Sequence, residues 1–171
     1  MKLASLTAEG RGTTDQLLAE AAILLAGQGL RTAGIVKALD YTPSYGNGCD
    51  MAVKVLPEGP EIKITQSLGE GSDACRLDPS AIANAVSTVE SASLEGTDLF
   101  ILNKFGPEEA AGRGFCAVIG KALEQGVPVL VGVGQGNLAA FEAFAGGLAA
   151  RLEPDLQSIQ TWLKSADQDA A

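Results

Sequence analysis

The chain has 171 residues, a formal net charge of −9, no histidine and three cysteines. That length sets the expectation of one domain, residues 1–171, with a real core. The acidic balance argues against nucleic acid and anionic membranes, which need a basic footprint, and the lack of histidine removes Ser-His-Asp, Cys-His and His-metal chemistry.

Taken in chain order, "KLASLT" is a short apolar strand broken by "EGRG". Thr13 with Gln16 forms a capping-box pattern for a helix carrying Leu17, Leu18, Leu24 and Leu25, closed by Gly27 and Gly29. "RTAGIVKAL" gives a second strand, followed by the loop "DYTPSYGNGC". "DMAVKVL" and "EIKITQ" flank "PEGP" as a β-hairpin near residues 50–66. The irregular "SLGEGSDACRL" follows, after which Asp78 caps a helix with Pro79 in its first turn and Ile82, Val86 and Val89 on one face.

"DLFILNKFG" is a buried strand ending on Asn103 and Lys104, followed by a helix from about Pro107 to Gln125. Gly126 stops that helix and Pro128 opens the apolar strand "VPVLVGV". Asn137 caps a further helix with Leu138, Phe141, Phe144 and Leu148, and Leu156, Ile159, Trp162 and Leu163 form a terminal one. Strands alternating with helices, and apolar throughout, predict an α/β fold of three layers around a mainly parallel sheet with one antiparallel hairpin. Cys49, Cys75 and Cys116 are widely spaced, as in reduced thiols rather than a disulfide framework. No apolar run nears the ~18 residues that span a bilayer, and the first apolar stretch is too short for a signal peptide, so the expected compartment is the cytoplasm.

Three loops carry residue types suited to chemistry. "AEGRGTTDQ" sets Gly10, Gly12, Thr13 and Thr14 at a helix N-terminus, where backbone N–H groups suit a tetrahedral anion. It lacks the Gly-Lys-Ser/Thr of a Walker A loop, and Asp15 stands where a dinucleotide fingerprint has its third glycine. A tight turn with a cap explains the spacing equally well. "NKFGPEEAAGRG" places Asn103 and Lys104 at the carboxyl end of a strand, the edge where α/β domains bind ligands, with Arg113 further along. Arg76, in a glycine-flanked loop, suits a bidentate contact to an oxyanion. Cys49, Cys75, Asp50 and Asp78 have no metal-ligand spacing, and Asp78 already serves as a cap.

The stretches "GNGCDMAV", "ITQSLGEGSDACRLDPSAI", "LFILNKFGPEEAAGRGF" and "GVPVLVGV…NLAAFEAFAGGLA" resemble an uncharacterised bacterial P-loop NTPase-like family often encoded beside molybdate-transport genes. More distantly the chain resembles the small thermophilic nucleoside-triphosphatase family. The resemblance implies a P-loop NTPase-like domain with degenerate Walker motifs: "GRGTTD" replaces Gly-Lys-Thr, and Asn103-Lys104 replaces the Asp-Glu that would hold Mg²⁺ and orient water. Both changes weaken the case for hydrolysis. A cation has left the first loop and another has appeared on the strand end, which suits an anion without a metal.

Three functions follow as expectations. The first is a small-ligand-binding protein of molybdenum-related metabolism, holding a tetrahedral oxyanion (molybdate or phosphate-like) through Gly10, Gly12, Thr13, Thr14, Arg76, Asn103, Lys104 and Arg113, with no catalytic residue, no metal and no other cofactor. The second is a Mg–nucleotide hydrolase or phosphotransferase with Thr13 or Thr14 on the metal and Glu108 as base. The third is a non-catalytic partner-binding scaffold. The expected partner is a small anion rather than nucleic acid or a membrane, and a homo-oligomer is compatible with the sequence.

Overall fold

The computed structural model describes residues 2–44, 50–66 and 76–169, without the side chains of Arg76 and of residues 166–169. Cys49, Cys75 and most of the two irregular loops read above lie outside the described residues. In chain order the elements are β1 (Leu3–Leu6), α1 (Thr13–Gly27), β2 (Thr32–Lys37), β3 (Ala52–Leu56), β4 (Glu61–Lys63), β5 (Thr65–Gln66), β6 (Arg76–Leu77) and α2 (Pro79–Ser91). They continue with β7 (Leu99–Phe105), α3 (Pro107–Ala110), α4 (Cys116–Glu124), β8 (Val129–Val133), α5 (Leu138–Ala145), β9 (Ala150–Leu152) and α6 (Leu156–Asp169).

A seven-stranded sheet runs β4-β3-β2-β7-β8-β1-β9. Strands β2, β7, β8, β1 and β9 pair in parallel, while β2–β3 and β3–β4 are antiparallel, so the mainly parallel sheet and its hairpin stand as expected. Successive residues of a strand face opposite sides. Leu99 and Ile101 of β7 join Leu18, Ala22 and Leu25 of α1 and Ile159 and Leu163 of α6. Phe100 and Leu102 join Val89 of α2, Val118 and Ile119 of α4 and Phe141 of α5 on the other face. A sheet covered on both faces needs apolar residues at every position of its central strands, which is why "LFIL" and "VLVGV" are continuous runs. Gly132 in β8 is required by packing, since a Cβ there would run into the carbonyl oxygen of Asn103.

Several expectations are corrected. The first helix is capped by Gly12 with φ of 76°, without a side-chain cap, and Gln16 donates to Glu20 at 2.8 Å instead of closing a capping box with Thr13. The helix expected over 107–125 is two helices. Gly112 (φ 77°) and Gly114 (φ 57°) break it, in conformations that favour glycine. The buried Glu109 carboxylate secures the break by accepting the Gly106 and Phe115 N–H groups, each at 3.0 Å. Asn137 precedes α5 but does not cap it with its side chain, which donates to the Phe105 carbonyl at 3.2 Å. Leu148 lies beyond α5 and is exposed. The pair β5–β6 and the edge strand β9 are additions, both too short to show periodicity. The cap at Asp78 is as expected: its Oδ1 accepts from Ser80 at 2.9 Å and Ala81 at 3.3 Å.

Candidate functional site at the carboxyl edge of the sheet

The loop joining β1 to α1 and the last residues of β2 and β7 meet at the carboxyl edge of the parallel strands. Strand β8 lies between β1 and β7. β7, which carries Asn103 and Lys104, is therefore not the neighbour of β1. The first loop and the end of β7 are instead brought together by α1, which packs over β8 and β7 to reach β2.

The end of β7 is shaped by a bulge. Leu102 is opposite Val131 but Phe105 is opposite Val133, so Asn103 and Lys104 together face one residue of β8. The extra residue reverses the alternation, sending Phe105 to the α5 face, where it meets Phe141 edge-on at 5.3 Å between ring centroids. Bulges beside ligand sites re-aim side chains in this way. Asn103 keeps the α1 face that alternation from Leu99 and Ile101 gives it and is buried there, while Lys104, the added residue before Phe105, is exposed at the rim.

Asn103 ties three elements together. Its Oδ1 accepts the Lys37 backbone N–H at 3.2 Å and its Nδ2 donates to Asp15 Oδ1 at 3.1 Å. Because the Lys37 N–H can only donate, the amide orientation is fixed. Burial pushes the Asp15 carboxyl above its ordinary value, opposed by the charges of Lys104 and Lys37 and by the Asn103 hydrogen bond. Lys104 lines the same cleft as Gly12 and Asp15 of the first turn of α1.

A cleft of about 650 Å³ opens over this cluster, lined by Arg11, Gly12, Asp15, Lys37 and Lys104 on the sheet side. Its other wall comes from Tyr41, Pro43, Asp50, Met51, Thr65 and Leu77. Among the described residues, three cations and two carboxylates line it, and Asp50 is already matched by Lys63 at 3.0 Å.

Asp50 builds the far wall. Its carboxylate, fully enclosed, accepts from Tyr41 Oη at 2.9 Å, Ser44 N at 2.6 Å and Thr65 Oγ1 at 3.0 Å. Burial alone would raise its pKa, but the Ser44 N–H, the Lys63 ammonium and the two hydroxyls outweigh that and hold the carboxyl well below the usual range. A carboxylate so engaged staples Tyr41, Ser44, Lys63 and Thr65 together, and no cluster of three potential acid or thiol ligands occurs among the described residues.

Of the residues singled out in the sequence, Gly12 and Lys104 line the cleft and Asn103 lies beneath it, bonded to Asp15. Gly10 (φ 91°) shapes the loop, and Thr14 Oγ1 accepts the Ala8 N–H at 2.9 Å, holding the turn closed. Thr13 is exposed at the first position of α1 and is not among the lining residues. Arg113 is set apart: it forms a bidentate pair with Glu108 at 2.8 and 3.0 Å on the surface and does not line the cleft. That pair also engages the carboxylate considered as a base. The Arg76 side chain lies outside the described residues. Lys37 and Arg11 were missed, although Lys37 carries the signal that marked Lys104, a cation closing an apolar strand.

A mainly parallel sheet covered by helices on both faces, with a glycine-containing turn between its first strand and first helix, has the P-loop NTPase-like α/β fold. The chain belongs to the family described as "Protein of unknown function (DUF2478)", whose model matches residues 3–162. Over 150 residues it is 38% identical to "Molybdenum import ATP-binding protein ModC 2" of Bradyrhizobium diazoefficiens, a match taking in 86% of this chain and 16% of that protein. The fold is similar to that of a "Human Cancer-Related Nucleoside Triphosphatase", with a TM-score of 0.60 and 18% identity over 88% of this chain and 87% of that one. It is similar also to THEP1 from the hyperthermophile Aquifex aeolicus, with a TM-score of 0.62 and 12% identity over 96% of each chain. Among the described residues, no helix is long and apolar enough to cross a membrane.

Proposed function

We propose that the chain is a small-ligand-binding domain of molybdenum-related metabolism that takes a tetrahedral oxyanion, molybdate or a phosphate group, in the cleft at Lys104. The observation that carries this reading is the gathering of Arg11, Lys37 and Lys104 with the α1 N-cap Gly12 around one cleft of an acidic chain. First-turn N–H groups have no partner within their own helix and carry the positive end of its dipole, so they add to the attraction for an anion. The name of the molybdenum-import relative supports the metabolic setting.

A second reading, a nucleoside triphosphate as ligand, is favoured by the nucleoside-triphosphatase fold and by the cleft of about 650 Å³, which lies within the roughly 300–1,000 Å³ of small-molecule sites. Metal-assisted hydrolysis suits the donor set poorly. Asn103 and Lys104 occupy the strand end, and the carboxylate there, Asp15, accepts from Asn103 and feels the charges of Lys104 and Lys37. Parallel calorimetric titrations with molybdate, inorganic phosphate and ATP, with and without Mg²⁺, test the proposal. Oxyanion binding that does not depend on Mg²⁺ supports it. ATP binding only with Mg²⁺, and none of the oxyanions, replaces it with the second reading.

A further inference from the structure

The cleft contains a carboxylate that an anion site does not need. Asp15 lines it beside Lys37 and Lys104, pinned by Asn103, whose own orientation is fixed from β2. Among the described residues, the groups acting on Asp15 are the cations Lys37 and Lys104 and the amide of Asn103; Arg11 lines the same wall, and Asp50 sits opposite with its charge matched by Lys63.

An oxyanion drawn to Lys37 and Lys104 comes to rest next to this carboxylate. Two negative groups in contact repel, unless a proton lies between them and turns the contact into a charge-assisted hydrogen bond. A phosphate group brings that proton itself, since its second ionisation falls near pH 6 in monoesters. Sulfate and molybdate, equal in charge and shape to the phosphate dianion, are proton-free at that pH. For them the proton would have to be taken up from solvent onto Asp15.

We propose that Asp15 is the specificity-determining residue of the cleft, admitting a protonated phosphate group and disfavouring proton-free tetrahedral oxyanions. This rests on the reading of the cleft as an anion site and narrows its ligand to free phosphate or a phosphomonoester.

The test is calorimetric titration of the full chain at pH 6 with inorganic phosphate, sulfate, molybdate and AMP, repeated with Asp15→Asn and Lys104→Ala. Asparagine keeps the shape and an oxygen for Asn103 to bond. The wild-type chain is expected to bind phosphate about ten- to a hundredfold more tightly than sulfate or molybdate, the scale of one charge-assisted contact. Asp15→Asn should erase that ratio by tightening sulfate and molybdate. AMP binding more tightly than phosphate supports a phosphomonoester, and equal or weaker binding supports free phosphate. If Lys104→Ala weakens every anion but Asp15→Asn leaves the phosphate-to-sulfate ratio unchanged, this inference falls and the anion site stands. If no anion binds the wild-type chain, both fall.

Discussion

Asn103 on β7 and Asp15 on α1 are joined by a hydrogen bond of 3.1 Å across the α1 face of the sheet, and the same amide accepts the Lys37 N–H from β2. One buried side chain thereby fixes the spacing of the three elements that line the cleft. Replacing it leaves a backbone N–H and a carboxylate without their partner. Asn103→Ala is expected to cost about 1–3 kcal/mol, the usual penalty for stranded buried polar groups. Asn103→Asp should cost more at pH 7, because it sets a second carboxylate against Asp15, and should recover on acidification. Urea unfolding of both variants at pH 7 and pH 5 checks this; an Asn103→Asp chain as stable as wild type at pH 7 contradicts it.

The acid limb of stability is expected to depend on Asp50. Its folded pKa is depressed, so its contribution is fully present above the ordinary aspartate value, near 3.9, and is lost as pH falls through the folded value. Asp15 has the opposite sign: its raised folded pKa means that stability falls as pH rises between the ordinary and the folded value. Asp50→Asn should lower the thermal midpoint at pH 7 and shrink the difference between pH 7 and pH 3. An unchanged pH profile would show that the cluster around Tyr41 and Lys63 contributes nothing.

Much of the architecture was legible because it rests on burial from two sides. "LFIL" and "VLVGV" announce central parallel strands, and the "PEGP" turn announces the hairpin. The lateral order was not legible, because chain order does not say that β8 inserts between β1 and β7. The bulge at Asn103 was hidden for a related reason, since it depends on register against β8. Within the site, Lys104 stood out as a charge on an apolar strand, and Lys37 carried the same mark. Asp15 could be read only as a missing glycine, because its partner lies 88 residues away. The break between α3 and α4 was missed, since one helix was expected over 107–125, although the glycines either side of Arg113 carried its signal; a surface pair of Arg113 with Glu108 follows once the chain turns there.

Nucleotide turnover should be negligible. Phosphoryl transfer is accelerated almost wholly by positioned cations and metal. This chain has no Gly-Lys-Thr, ends its central strand on Asn103, Lys104 and Phe105 rather than on acids, and engages Glu108 with Arg113. Purified protein with ATP or GTP and Mg²⁺ is expected to release phosphate no faster than Lys104→Ala. Mg²⁺-dependent turnover abolished by Glu108→Gln would instead establish hydrolysis at a rearranged site.

The most direct measurement is the anion affinity of Lys104→Ala beside that of the wild-type chain. Lys104 is exposed at the rim of the cleft and its charge acts on Asp15, so removing it should leave folding nearly intact. One charge-assisted contact is worth roughly 1.5–3 kcal/mol, and calorimetry with inorganic phosphate should therefore show a loss of about ten- to a hundredfold with an unchanged thermal midpoint. Equal phosphate affinity in the two chains would contradict an anion site at the carboxyl end of β7.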